Sequence, residues 1–490
     1  MRHPLAMSLM TTAISRREFG KRIAALTSAA AFLPQVASCS APQSLSNRQA
    51  LLAEFRKADA ALLAEDGARQ AAAEDFGGII HRLPLAVIRP RSESDIVKAI
   101  RFAKRHTVQV AMRGQGHSML GQCQVEQGIV IDSSTLNSVR MVTYDDRPAI
   151  EAGAGALWGA MLDAAYAEKL TPPVNVDPGY LSVGGTLSTG GFGGRTWDDG
   201  FQIDHVLQLQ VVTGEGRVVT CSDRRNTDLF NSILGGMGQT GLIVKAIIPL
   251  VAAPMHVRFF MLGYDDLPTA MADMTALSTN RRFKHLDGRS AVREGGGFTY
   301  NLEAGYFYDA PSAPADTELL GGLKFASNTV STMTYEQYYR REAPLKPGRY
   351  PWLYLCLPAS QFLQYAADVF ANPEEHALSV PRFSVWNRDR VKRPLARLPN
   401  EDFVVRFQLS RMPPSTFTNM ESLLRSNRAL YERARDVGGT RLTTSALPFS
   451  QADWMDHYGP VWPWLSDMKK YFDPNRVLTP GPGMFPPMAL

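Results

Sequence analysis

Two side chains in this chain of 490 residues sit where their neighbours could turn them to chemistry. His117 lies in Arg113-Gly114-Gln115-Gly116-His117-Ser118, directly after the apolar run 108–112, which reads as a strand. Glycines there let backbone N–H groups come close to a diphosphate, and a histidine among them can touch or bond to a ring. The same residues also read as a tight turn with a solvated histidine. They are not the dinucleotide fingerprint, because its third glycine is replaced and no helical pattern follows. Asp177 lies in Thr-Pro-Pro-Val-Asn-Val-Asp-Pro-Gly, residues 171–179. A carboxylate in a dry site can take or hold a proton near working pH. An Asp before a proline is also a common turn-former.

Two further glycine runs follow. Residues 183–191 read Val-Gly-Gly-Thr-Leu-Ser-Thr-Gly-Gly, and 235–241 read Gly-Gly-Met-Gly-Gln-Thr-Gly. Three such runs in one half of the chain exceed what core turns require. Together they suit a long, anionic, multi-part ligand such as FAD, with each run offering unshielded backbone donors.

The elements that must hold these loops alternate. Residues 48–75 are rich in Ala, Leu, Glu and Arg, a helical composition. A helix is expected from Ser92, with Asp95 as a capping-box variant and a stripe of Ile96, Ile100 and Ala103. Strands are expected at 108–112, 128–132, 148–152 and 242–251, and helices at 157–170 and 226–234. A hairpin 205–213/217–221 would turn on Gly214-Glu215-Gly216. Strand–helix alternation argues α/β in this half. After about residue 252 glycine loops thin out and prolines 311, 314, 344, 347 and 351 break long elements. Short turns return in the last fifty residues, ending Phe-Asp-Pro-Asn-Arg-Val-Leu-Thr-Pro-Gly-Pro-Gly-Met-Phe.

Composition narrows the function. The chain is 45% apolar and 20% charged, ordinary for a globular protein. Four cysteines with no CxxC pair make no disulfide framework, and no two histidines are spaced as a local zinc motif. The net charge of +5 sits mostly in the first 38 residues, so the body is nearly neutral and no nucleic-acid partner is expected. Ser15-Arg16-Arg17-Glu18-Phe19-Gly20-Lys21, followed by the apolar run 23–33, reads as a twin-arginine export signal over residues 1–38. Val36-Ala37-Ser38-Cys39 resembles a lipobox, which would anchor Cys39 to lipid in the periplasm; ordinary cleavage nearby is the alternative.

The ordered segments Asp-Phe-Gly-Gly (75–78), 84–103, 113–118, 183–191, 234–243 and 472–485 resemble the vanillyl-alcohol oxidase/p-cresol methylhydroxylase flavoproteins, and within them the cytokinin dehydrogenases most. The resemblance implies an α+β, two-domain PCMH-type FAD-binding fold. The FAD domain would combine 48–251 with 441–490, around a substrate domain at 252–440. It implies that His117 is bonded to the flavin 8α-methyl. The segment 175–182 lacks the cysteine of doubly attached relatives, so His117 would be the sole attachment. Cofactor contacts carry over to Arg113, Gly114, Gln115, Gly116, Ser118, Gln122, Gly184, Gly185, Thr186, Ser188, Gly190, Gly191, Gly241 and Ile243. Asp177 matches the active-site aspartate. Asp287 matches a glutamate at the pocket entrance, one methylene shorter. Trp352 and Tyr354 match pocket positions, Tyr354 replacing an asparagine of the plant enzymes; as ordinary core aromatics they would need no such role. Gly481-Pro482 departs from the family's closing Pro-Gly-Gln and removes one expected cofactor contact.

The implied activity is oxidation of a secondary amine by hydride transfer, with electrons passing to oxygen or a quinone-like acceptor. A sugar, alditol or lactone oxidase on the same fold is the first alternative. A non-catalytic flavin-binding lipoprotein is the second. Cys123, Cys221 and Cys356 read as buried small apolar residues. Asp198, Asp199 and Asp204 read as solvated or capping acids, and His205 as a packed histidine.

Overall fold

The computed structural model describes residues 45–59, 65–293, 296–309 and 311–486. The twin-arginine segment and Cys39 lie outside them.

Three consecutive apolar runs form a small parallel sheet, ordered Ala86–Ile88, Ile129–Asp132, Val110–Arg113. Such runs are read on both faces by core, which is why they do not alternate in polarity. One crossover is the helix Glu93–Arg105, whose Ile96, Ala99, Ile100 and Ala103 are fully buried. Ser92 takes the N-cap position but its side chain makes no capping bond; instead Asp95 accepts from the Arg91 N–H at 2.9 Å. The expected helix over 48–75 is two helices, Leu45–Asp59 and Asp66–Ala72.

A five-stranded antiparallel sheet follows, ordered Val139–Tyr144, Arg147–Gly153, Gly241–Pro249, Gln208–Thr213, Val218–Ser222. The hairpin expected around Gly214–Gly216 is its far edge. Strands from 256 to 441 build one eight-stranded antiparallel sheet. Its order is Ser327–Thr334, His256–Tyr264, Phe298–Tyr308, His285–Val292, Ser379–Asn387, Phe403–Arg411, Leu353–Pro358, Thr440–Arg441.

The last fifty residues return to the first sheet. Val110 donates to the Val477 carbonyl at 2.8 Å and accepts from the Thr479 N–H at 2.7 Å. The helix Trp462–Phe472 is fastened there by Lys469, 2% exposed. Its ammonium donates to Asp473 at 2.7 Å and to the Gln239 and Leu478 carbonyls at 2.8 and 3.1 Å. The glycine loop 235–241 is therefore tied to the C-terminal segment through one buried cation.

Candidate active site

A cavity of about 470 Å³ opens between the glycine loops and the eight-stranded sheet. The 113–118 turn forms one wall, with Gly114, Gln115, Gly116, His117 and Ser118 all facing in. Among the described residues, the N–H groups of Gln115, Gly116, His117 and Ser118 meet no acceptor in the protein. Unpaired backbone donors in a row are an anion-binding feature, since leaving them dry and unpaired is costly. Gly116 has φ +66°, and a Cβ there would run into the Arg113 guanidinium. Arg113 itself stays out of the cavity wall. It tucks beneath the turn, donating to the Glu74 carbonyl and to Cys123 Sγ at 3.5 Å. Gln122 lines the wall but spends its side-chain oxygen on the Met119 and Leu120 N–H groups, at 3.1 and 2.9 Å.

The second and third glycine runs meet the expectation of open donors only in part: among the described residues the Gly185, Gly190 and Gly191 N–H groups have no acceptor, but others are taken. Residues Val183–Thr189 form a short helix, and the Val183 and Gly184 N–H groups bond to Ala156 and Ala154. Gly184, Gly185, Thr186, Ser188 and Gly191 line the cavity, while Gly190, at φ +115°, does not. In the third run the N–H groups of Gly235, Gly236, Met237 and Gln239 are all taken by backbone carbonyls. That loop packs onto the Leu187–Ser188 turn; Gly241 and Ile243 reach the wall behind it. Glycine density here serves close backbone packing: a Cβ on Gly184 would meet Ala154 at 2.7 Å.

His117 and Asp177 face the same cavity. The imidazole lies 3.9 Å from the Phe76 ring, which stacks on Tyr350 at 4.4 Å. Burial pushes its pKa down to about 4, so at neutral pH it is uncharged and keeps a free nitrogen lone pair. Asp177, 30% exposed onto the cavity, accepts from Arg341 Nη2 at 2.8 Å. Burial pushes its carboxyl up, but Arg341, then His285 and Arg382, outweigh that and hold it below the usual carboxylate range. The expected base tuned upward by dryness is therefore an ionised carboxylate tuned downward by cations. Arg341 in turn lies over the Tyr338 ring at 4.3 Å, and the Tyr338 hydroxyl bonds His285 Nδ1 at 2.8 Å.

The eight-stranded sheet supplies the opposite wall. Asp287 is expected at an entrance, but it is buried at 6% exposure and clamped by two arginines. Arg382 Nη2 reaches one oxygen at 2.9 Å and Arg406 the other. The acid at the exposed mouth is Glu342. Trp352 and Tyr354 line the cavity with ring centroids 6.2 Å apart. Gly481 packs against the carbonyls of Gly121 and Gln122 rather than on the cavity.

The residues missed in the sequence are Arg341, Arg382, Arg406, Gln408 and Ser410. The last three had a visible signal. In Phe403–Arg411 the polar residues 406, 408 and 410 alternate with Val405, Phe407 and Leu409, so a polar stripe faces one side of a buried strand. Arg341 had none beyond its charge. The neighbouring acids are corrected in part: Asp198 is buried against Arg281 and Lys284 rather than solvated. Asp199 pairs with Arg195, Asp204 caps the Phe201 N–H, and His205 is held by the Asp199 carbonyl at 2.6 Å. Cys221 and Cys356 are buried as expected. Cys123 is only half-buried, lines the cavity and lies 3.2 Å from Ser118 Oγ. Among the described residues no cluster of His, Cys, Asp or Glu could hold a metal, and no helix is long and apolar enough to cross a membrane.

The residues fit a flavin dinucleotide. Beside the free N–H groups of the turn, buried Trp352 Nε1 and Thr444 Oγ1 on the cavity wall have no partner among the described residues. A large cavity rich in unsatisfied donors calls for a ligand with many acceptors.

Comparison with known proteins agrees. Residues 84–222 match the FAD binding domain family, and residues 291–485 match the family described as cytokinin dehydrogenase 1, FAD and cytokinin binding. The chain is 35% identical over 423 residues to an uncharacterized oxidoreductase of the fasciation locus of Rhodococcoides fascians, covering 84% of this chain and 95% of that protein. It is 31% identical over 480 residues to cytokinin dehydrogenase 10 of Oryza sativa subsp. japonica, covering 85% and 86%. A crystal structure of 6-hydroxy-D-nicotine oxidase from Arthrobacter nicotinovorans shares the fold, with TM-score 0.68 at 19% identity over 85% of this chain and 95% of that one. The chain belongs to the cytokinin dehydrogenase family of FAD-dependent oxidoreductases, on a PCMH-type α+β fold.

Proposed function

We propose that this oxidoreductase converts a secondary amine to an imine, using FAD bonded to His117. The observation that carries this reading is the pairing of a neutral imidazole and an ionised carboxylate on one cavity. FAD, when bound, supplies the hydride acceptor. The free N–H groups at 115–118 would hold its diphosphate, and His117, uncharged, has the lone pair that a bond to the ring needs. Oxidation removes a hydride from carbon and a proton from the adjacent nitrogen. Asp177 is the acceptor for that N–H, and Arg341 keeps it charged to receive it. A cytokinin-type allylic amine is the first substrate to try, because the plant relatives are named for it. Oxygen or a quinone-like compound would reoxidise the flavin. Residues 48–251 and 441–490 would hold FAD, and 252–440 the substrate. Export by the twin-arginine route, with a lipid anchor at Cys39, belongs to the same proposal.

The test is anaerobic mixing of the purified yellow protein with a panel of secondary amines, alditols and lactones. Bleaching of the visible flavin band by an amine supports the reading. Bleaching by alditols alone makes it a sugar oxidase, and no bleaching by any compound makes it a binding protein.

A further inference from the structure

The inner wall of the cavity holds guanidinium donors that the flavin reading does not assign. In the antiparallel pair Ser379–Asn387/Phe403–Arg411, Val380 faces Ser410, Arg382 faces Gln408 and Ser384 faces Arg406. Val380, Arg382, Arg406, Gln408 and Ser410 line the cavity. Two guanidiniums here contact one carboxylate, Asp287. Asp177, Glu303 and Glu342 also act on Arg382, but none of them bonds it. Asp177 is taken by Arg341, and Glu303 sits 3.2 Å from Arg289. Glu342 is solvent-exposed at the mouth.

The two arginines are unequally used. Arg406 is 6% exposed, bonds Asp287 and Gln408, and lies 5.9 Å from both the Phe192 and Trp386 rings. Arg382 is 29% exposed onto the cavity and makes a single bond, from Nη2 to Asp287. Its Nε and Nη1 have no partner among the described residues. A guanidinium presents five N–H donors in a planar fork matched to a carboxylate. Beyond it the rim turns apolar, with Val380 37% and Met412 42% exposed.

We propose that the amine oxidised here carries a carboxylate, which docks on the unfilled edge of Arg382 beside the Asp287–Arg406 pair. This rests on the amine-oxidation reading above and narrows it away from a cytokinin-type amine, which has no carboxylate. A substrate carboxylate takes the guanidinium donors that Asp287 leaves open, and the apolar rim covers the substrate's hydrocarbon part. Arg382 is thus a specificity-determining residue, and Asp287 positions it.

The test reads binding, not turnover. Phenylacetate and its neutral isostere phenylacetamide are titrated into the FAD-loaded protein at pH 7, following flavin absorption and heat. The expected result is about tenfold or more tighter binding of phenylacetate, a preference abolished in Arg382→Met. Arg382→Lys keeps the charge without the fork, so part of the preference survives. Equal binding of the two probes by the unsubstituted protein overturns the proposal, whether or not the variants fold. So does a preference that persists in Arg382→Met with its flavin content unchanged. Failure of every amine to bleach the flavin would sink the amine-oxidation reading while leaving the carboxylate preference measurable.

Discussion

Asp177→Asn separates the charge of this side chain from its shape. The amide keeps one carbonyl acceptor but cannot take a proton. Two magnitudes follow from the geometry. The first is stability. Arg341, 17% exposed, loses its carboxylate at 2.8 Å. Breaking a fully buried pair costs about 3–5 kcal/mol. Asp177 is 30% open to the cavity, so about 1–3 kcal/mol is expected after discounting for solvent. The second is rate. A hydrogen bond to a charged partner is worth about 1.5–3 kcal/mol, roughly 10- to 150-fold. Loss of the proton acceptor is worth a factor on the order of 10², and the hydrogen-bond loss is part of that factor, since the amide keeps an acceptor oxygen. Flavin reduction should fall by about 10²-fold or more, with FAD content unchanged, in anaerobic stopped-flow at saturating amine. The companion Arg341→Met keeps the carboxylate but removes the first of the cations that hold its pKa down. Burial then raises it, so the acid limb of flavin reduction moves to higher pH. The two residues touch, so the double variant should lose less than the sum. Near-normal reduction in Asp177→Asn, or an unmoved acid limb in Arg341→Met, would refute the reasoning.

Three further outcomes are expected. Gly116→Ala forces φ +66° on a residue with a Cβ and pushes it into the Arg113 guanidinium, at a cost of about 1–2 kcal/mol or more. The ratio of flavin to protein absorbance should drop. His457 is buried among Phe449, Trp454 and Tyr458, and burial lowers its pKa to about 3. Its folded pKa lies below its unfolded one, so stability is lost as pH falls from about 6.5 to about 3, by up to roughly 5 kcal/mol. His457→Phe should flatten that slope in denaturant titrations across this window. Lys469→Met strips the ammonium from the fully buried Asp473 and should cost about 3–5 kcal/mol in chemical unfolding, leaving the Thr479 bonds to Gly238 and Gln239 as the tie between the C-terminal segment and the 235–241 loop.

Much of the first half was legible because local rules decide it. The expected strands at 108–112 and 128–132 are there, joined by an unexpected one at 86–88, and the Gly214–Gly216 turn closes the expected hairpin. The glycine runs were legible as a group but not singly. Which N–H groups stay free depends on what packs against them: among the described residues, 115–118 and 190–192 keep theirs open, while Val183, Gly184, Gly235 and Gly236 spend theirs on backbone carbonyls. The charge state of Asp177 was not legible at all. It is set by Arg341, 164 positions away, and by His285 and Arg382 on two strands of another sheet. Asp287 was read at an entrance because its partners Arg382 and Arg406 are invisible without strand register.

The central claim is a flavin bonded to His117, and peptide mapping tests it most directly. Acid precipitation followed by tryptic digestion should leave the flavin's mass and fluorescence on the peptide that starts after Arg113 and carries His117, and on no other. Flavin released free into the acid supernatant, or found on a different peptide, would contradict it.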